Sequence, residues 1–177
     1  MKAFGISGFS GSGKTTLIEQ LIPRFQQDGY TVSAIKHTHH GFDLDRPGKD
    51  SHRMRSAGCG EVLLVGDRRL ALLQEYQQDC QPSLPQLLAR LSPCDLVLVE
   101  GYQHSNLPQL RLHRSCQLEL PDLSNPAIVA VASDVELNCI QPWLPLADVT
   151  TIYGFLQDHL FGASRLNVDL VPTYCWA

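Results

Sequence analysis

Eight residues near the amino end, Gly8-Phe9-Ser10-Gly11-Ser12-Gly13-Lys14-Thr15, have the types and spacing to hold a phosphate chain. They fit G-x-x-x-x-G-K-[ST], the phosphate-binding P-loop. Gly8, Gly11 and Gly13 lack a Cβ, so the backbone can turn left-handed and press close to a ligand. A backbone turned in this way aims several N–H groups at one point, at the positive end of a helix. Lys14 would reach the β- and γ-phosphates as a point charge, and the Thr15 hydroxyl would ligate Mg²⁺. A second acid-bearing run, Asp95-Leu96-Val97-Leu98-Val99-Glu100-Gly101-Tyr102, has the Walker B shape. Four apolar residues deliver a carboxylate, here Glu100 in the place usual for Asp, beside the metal.

These groups act only if the chain positions them. Lys2–Ser7 reads as a short buried strand. Lys14–Gln27 reads as a helix with Leu17, Ile18, Leu21, Ile22 and Phe25 at helical spacing. Strand, loop and helix form the setting a P-loop requires. Pro23 predicts a kink or a restart in that helix, and Gly29 a C-cap. Thr31–Lys36 reads as a second strand, parallel to the first because no hairpin turn separates them. The expected fold class is α/β: a P-loop nucleoside triphosphatase with a mostly parallel sheet flanked by helices and an added antiparallel hairpin. Glu61–Gly66 and Arg69–Tyr76, joined by Asp67-Arg68, supply the hairpin. Helices are expected at Ser83–Leu91 and Asp148–Leu160, and another from Asp50 or Ser51 as cap to about Ala57. Further strands are expected at Gln109–His113 and Pro126–Ala132.

Between Lys36 and Ser51 lies a long polar stretch holding His37, His39, His40, Asp43 and Asp45. It starts at the carboxyl end of a parallel strand, the edge where ligands bind in such sheets. It reads either as a mobile polar loop or as a metal-binding segment. Ser133-Asp134 closes the apolar run before it. Asp134 reads equally as a guanine-base reader without its usual N-K-x-D partner lysine or as a turn cap.

The 177 residues predict one P-loop domain over residues 1–162 and a tail over residues 163–177 that packs on the body or on a partner. A net charge of −4 argues against general nucleic-acid binding. No run approaches the roughly 18 apolar residues of a membrane span. The amino end has no export pattern, and the six cysteines show no C-x-x-C spacing, so reduced cysteines and a cytoplasmic location are expected.

Taken together, several segments resemble one family. They are Gly8–Thr16 with Leu17, and Lys36-His37-Thr38-His39-His40 through Phe42-Asp43-Leu44-Asp45. Pro47-Gly48-Lys49-Asp50-Ser51, Arg55-Ser56-Ala57-Gly58, Asp95–Tyr102 and Val129–Asp134 complete the set. The chain is similar, over about residues 2–160, to the molybdopterin-guanine dinucleotide biosynthesis protein B family, the GTP-binding accessory factors of molybdenum cofactor synthesis. The histidine–aspartate segment is the specific part, since P-loops alone are common. The resemblance implies GTP and Mg²⁺ as ligands, weak hydrolysis at most, a homodimer, and the molybdenum cofactor guanylyltransferase as partner. It implies that Gly8, Ser10, Gly11, Ser12, Gly13, Lys14, Thr15 and Thr16 hold the phosphates. Thr15 and Glu100 would serve magnesium, with Asp45 a further candidate. Lys36, His37, Asp43 and Asp45 would line the site, and Lys14, Glu100 and Asp43 are the catalytic candidates.

Two rival functions remain open. A small-molecule kinase would need an arginine-bearing lid, which Arg46, Arg53, Arg55, Arg68 and Arg69 could supply. A metal-delivery protein would use His37, His39, His40, Asp43 and Asp45. No water-positioning glutamine or arginine finger is evident, so turnover is expected to be slow, because such an arginine alone contributes about 10³–10⁵ in rate.

Overall fold

The computed structural model describes residues 1–38, 41–76 and 81–162. His39, His40 and the 163–177 tail lie outside the described residues. The elements in chain order are β1 (Lys2–Gly8), α1 (Lys14–Gln27), β2 (Val32–Lys36), α2 (Asp50–Ser56), β3 (Glu61–Gly66) and β4 (Arg69–Gln74). They continue with α3 (Leu84–Leu88), β5 (Leu96–Glu100), β6 (Gln109–His113), β7 (Ile128–Ser133), β8 (Trp143–Pro145) and α4 (Val149–Phe161). Residues read above as one domain cluster into two compact units. One runs over Met1–His37 and again from Pro93 onward, and the other is Thr38–Ser92. The second unit is an insertion in the crossover from β2 to β5.

In the first unit a six-stranded sheet has the order β2-β5-β1-β6-β7-β8, and all its pairs are parallel. β1 lies between β5 and β6, which places the P-loop at the centre of the carboxyl edge. All five residues of β5 are buried, as a strand covered on both faces requires. Phe4, Ile6, Leu96, Leu98, Leu110 and Leu112 form the sheet side of the core. Leu17, Leu21 and Phe25 of α1 and Ile152, Leu156 and Leu160 of α4 pack on that same face. Each such side chain contributes about 1.5–3 kcal/mol by leaving water. The alternate residues of β6, Gln109, Arg111 and His113, are also buried, on the other face.

Local chemistry explains the element ends. α1 runs unbroken through Pro23, so the expected restart does not occur. A prolyl nitrogen removes only one ladder bond, and the buried face of α1 holds the helix together across that gap. α1 ends in a Schellman motif. Gly29 at φ +86° donates to the Gln26 carbonyl, and the Tyr30 N–H donates to that of Phe25. The Phe25 and Tyr30 rings meet edge-on at 6.1 Å, the apolar contact that accompanies this motif. Asp148 caps α4, accepting from the Thr150 and Thr151 amides at 3.1 and 3.0 Å.

The second unit holds α2, α3 and the hairpin β3–β4, paired antiparallel from Glu61↔Gln74 to Gly66↔Arg69. Asp50 is the first helical residue of α2 rather than its cap; Lys49 takes the cap position without a side-chain bond. α3 is shorter than the expected Ser83–Leu91. Ser83 and Gln86 form a capping box, and regular helix stops after Leu88. Among the described residues, no helix is long and apolar enough to cross a membrane.

Candidate functional site

The P-loop connects β1 to α1 through three glycines in the left-handed region, Gly8 at φ +144°, Gly11 at +77° and Gly13 at +95°. Gly8 also needs its hydrogen for space, since a Cβ there would stand 2.5 Å from the Leu112 carbonyl oxygen. Gly13 sits at the N-cap of α1 with no side chain capping the helix. In consequence the amides of Gly11, Gly13, Lys14, Thr15 and Thr16 donate to no group among the described residues. Open amides in a tight turn at a helix start are an arrangement suited to an anion. Lys14 Nζ folds back onto the carbonyls of Gly8 at 2.9 Å and Phe9 at 2.7 Å. Burial pushes its ammonium below the usual lysine range. Glu100 opposes that shift, and the like charges of Lys36 and Arg111 add to it.

Glu100 ends β5 and is only 8% exposed. The Thr15 hydroxyl lies 3.0 and 2.9 Å from its two carboxylate oxygens. Lys36 ends β2 directly opposite Glu100 in register, and its Nζ lies 3.2 Å from Oε1. Thr15 and Glu100 are thus adjacent hard oxygen donors at a phosphate nest, a set that fits Mg²⁺, which takes one or two protein oxygens plus phosphate. A cavity of about 350 Å³ opens over these groups, lined by Ser10, Gly11, Gly13, Lys14, Thr15, Thr16, Lys36 and Glu100. A larger cavity of about 740 Å³ lies in the second unit between Gln74–Tyr76 and Gln81–Arg90. Its lining includes no P-loop residue.

The neighbouring backbone is unusual just past Glu100. Gly101 has φ +96°, and a Cβ there would press on His37 at 3.1 Å. Tyr102, at φ 50°, is the one non-glycine residue with positive φ among those described. Its ring lies 4.6 Å from that of His37. Strain of this kind gathers at functional sites.

Three residues that the sequence reading passed over also belong to this edge. Arg114, just past β6, donates from Nε to the Ser12 carbonyl at 3.2 Å, and its Nη2 would stand 3.2 Å from a Cβ on Gly13. Gln117 Nε2 reaches the Ser10 carbonyl at 3.4 Å, while its Oε1 accepts the Arg114 N–H. Arg111 is buried on β6, donating to Gln103 at 3.1 Å, and burial depresses its pKa. The polar alternation Gln109-Arg111-His113 was a visible sign of a second buried face. Nothing local marks Arg114 as a P-loop clasp. Asp134, at the end of β7, accepts from the Ser115 amide at 2.7 Å and the Ser115 hydroxyl at 3.1 Å. It therefore holds the turn that carries Arg114.

Asp43 and Asp45 belong to the second unit. There they flank Arg55, whose Nη2 and Nε reach them at 2.9 Å each. The other Asp45 oxygen accepts from the Ser51 hydroxyl at 2.7 Å. These hydrogen bonds, with that of Ser51 foremost, hold the Asp45 carboxyl below the usual carboxylate range. Among the described residues, no three His, Cys, Asp or Glu side chains gather to hold a metal.

A parallel sheet with a P-loop at its central strand and a carboxylate beside the loop threonine defines a P-loop nucleotide-binding protein of the α/β class. The model of the family "Molybdopterin guanine dinucleotide synthesis protein B" matches residues 3–134, and the chain belongs to that family. It is 37% identical over 156 residues to the molybdopterin-guanine dinucleotide biosynthesis adapter protein of Escherichia coli, covering 86% of this chain and 89% of that one. The adapter protein of Haemophilus influenzae is 38% identical over 165 residues, covering 90% and 91%. Among solved structures, a MobB protein homolog from Bacillus stearothermophilus is 26% identical with a TM-score of 0.68, over 90% of this chain and 98% of that one. Bacillus subtilis MobB, at 23% identity and a TM-score of 0.71, covers 92% and 99% and shows the same fold.

Proposed function

We propose that this protein is a guanine-nucleotide-binding adapter in molybdopterin guanine dinucleotide biosynthesis, acting on the guanylyltransferase that attaches GMP to molybdopterin. The supporting relatives carry the adapter name over nearly their whole length. The observation that carries the nucleotide reading is the set of open amides at Gly11 and at Gly13 through Thr16 beside the Thr15–Glu100 pair. In this reading the amides and Lys14 hold the β- and γ-phosphates, and Thr15 and Glu100 hold Mg²⁺, which supplies charge neutralisation when bound. GTP is the preferred triphosphate, and Asp134, with both carboxylate oxygens bonded to Ser115, acts as the turn cap rather than as a base reader. Hydrolysis is weak, since positioning and charge dominate phosphoryl transfer and, among the described residues, the cavity lining holds no glutamine or arginine. The protein works as a cytoplasmic homodimer. The apolar hairpin strip of Leu63, Val65, Leu70 and Leu72, each more than half exposed, supports that assembly.

The test is to measure GTP, GDP and ATP binding to the wild type and to Lys14→Ala. Loss of the lysine is expected to weaken triphosphate binding roughly 10- to 150-fold, the worth of a charge-assisted bond or two. Unchanged affinity for all three nucleotides would remove the site assignment. A kinase is told apart by phosphoryl transfer that requires an added acceptor.

A further inference from the structure

We propose that Lys36 is a tethered counter-cation occupying the place of the divalent ion, so that metal and lysine compete for Glu100. The inference rests on the nucleotide reading above and adds a regulator to that site. Lys36 Nζ lies 3.2 Å from Glu100 Oε1 and 3.1 Å from Thr15 Oγ1. The hydroxyl in turn lies 3.0 and 2.9 Å from the two carboxylate oxygens. The ammonium therefore touches both groups that would serve Mg²⁺, and its charge has the same sign.

The backbone fixes this arrangement. Lys36 and Glu100 are the last residues of neighbouring parallel strands and face each other in register. Glu100 is nearly buried, its side chain 11% exposed, and a buried carboxylate left without a counter-charge is destabilising. Lys36 supplies that charge in the metal-free protein. Its own side chain is 55% exposed, so the flexible stem can swing into water at little cost once a divalent ion arrives. Lys14 is placed differently: its ammonium bonds the Gly8 and Phe9 carbonyls, whereas that of Lys36 pairs directly with the carboxylate. Two consequences follow. Nucleotide binding by the wild type tolerates loss of Mg²⁺, because Lys36 keeps Glu100 from repelling the phosphates. Lys36 also lowers the affinity of the site for the divalent ion.

The experiment compares GDP and GTP affinity in excess Mg²⁺ and in EDTA for the wild type, Lys36→Met, Lys36→Arg and Lys14→Ala. The readout is the ratio of the EDTA Kd to the Mg²⁺ Kd. Lys36→Met is expected to raise that ratio about threefold to tenfold over the wild type, from weaker binding in EDTA, tighter binding in Mg²⁺, or both. Lys36→Arg, which keeps the charge, should stay near the wild-type ratio, and this separates a cation effect from a general disturbance of the strand end. Equal ratios for wild type and Lys36→Met overturn the inference and leave the nucleotide site standing. If Lys14→Ala binds as tightly as the wild type in both conditions, the nucleotide reading itself is overturned.

Discussion

The glycines of the loop do two different jobs, and substitution separates them. At Gly8 a methyl group meets the Leu112 carbonyl oxygen at 2.5 Å, and the backbone stands at φ +144°. Both partners are strand backbone, in register across β1 and β6, so neither can yield. At Gly11 a methyl group meets nothing within 4 Å, and only the φ of +77° resists it. Gly8→Ala is therefore expected to lower stability by about 2–4 kcal/mol, combining clash and strain. Gly11→Ala should lower it by only about 1–2 kcal/mol, the cost of a left-handed alanine. Denaturant unfolding of the two variants checks the order, and equal losses would contradict it. Arg114 belongs to this scale too: with Gln117 it grips the loop by its carbonyls and leaves the amides unengaged by it.

Strand ends are tied by specific bonds as well as by the ladder. Asp95, just before β5, accepts from the Thr31 amide at 2.7 Å and the Thr31 hydroxyl at 2.6 Å, stapling the starts of β5 and β2. The hydroxyl bond, then the amide bond, holds the Asp95 carboxyl below the usual carboxylate range. The unfolded chain thus takes up this proton first as the pH falls. The stabilisation is full above the ordinary carboxylate pKa and vanishes as the pH drops through the depressed native value. Asp95→Asn is expected to cost about 1 kcal/mol at neutral pH, since exposure screens a charged bond. Its deficit should shrink on acidification, as read from chemical denaturation across that window; a constant deficit would exclude the staple. Elements with strong local signals were legible in the sequence. α1 begins and ends at Lys14 and Gln27 as its apolar spacing and Gly29 dictate, β3 and β4 follow from their apolar runs, and β6 from its alternation. Other features were not. β8 is three residues long with Pro145 inside it, so no periodicity marks it. The placing of β2 beside β5, and of Arg114 on Ser12, joins residues 64 and 102 positions apart, which local patterns do not encode.

For the whole molecule, the separate hairpin is the feature least satisfied within one chain. Leu63 pairs with Leu72 and Val65 with Leu70, which puts all four on one face, between 51% and 74% exposed. An isolated two-stranded hairpin is marginal in water, and an apolar strip of this kind calls for a cover. If that cover is a second copy of the chain, Val65→Ser combined with Leu70→Ser should convert the dimer to a monomer in light scattering behind size exclusion. Glu19→Gln, at an exposed position of α1, should leave the assembly unchanged. A dimer that survives the double change would place the interface elsewhere. The sheet itself carries a consequence for how the protein is made. β1 emerges first, yet its neighbours on either side are β5 and β6, with Lys2 opposite Leu96 and Gly8 opposite Leu112. On the ribosome β1 must wait for a partner until β5, with Leu96 opposite Lys2, has followed it out. Until then the loop between β1 and α1 lacks the strands that flank it, and pairings this far apart in sequence close late in folding.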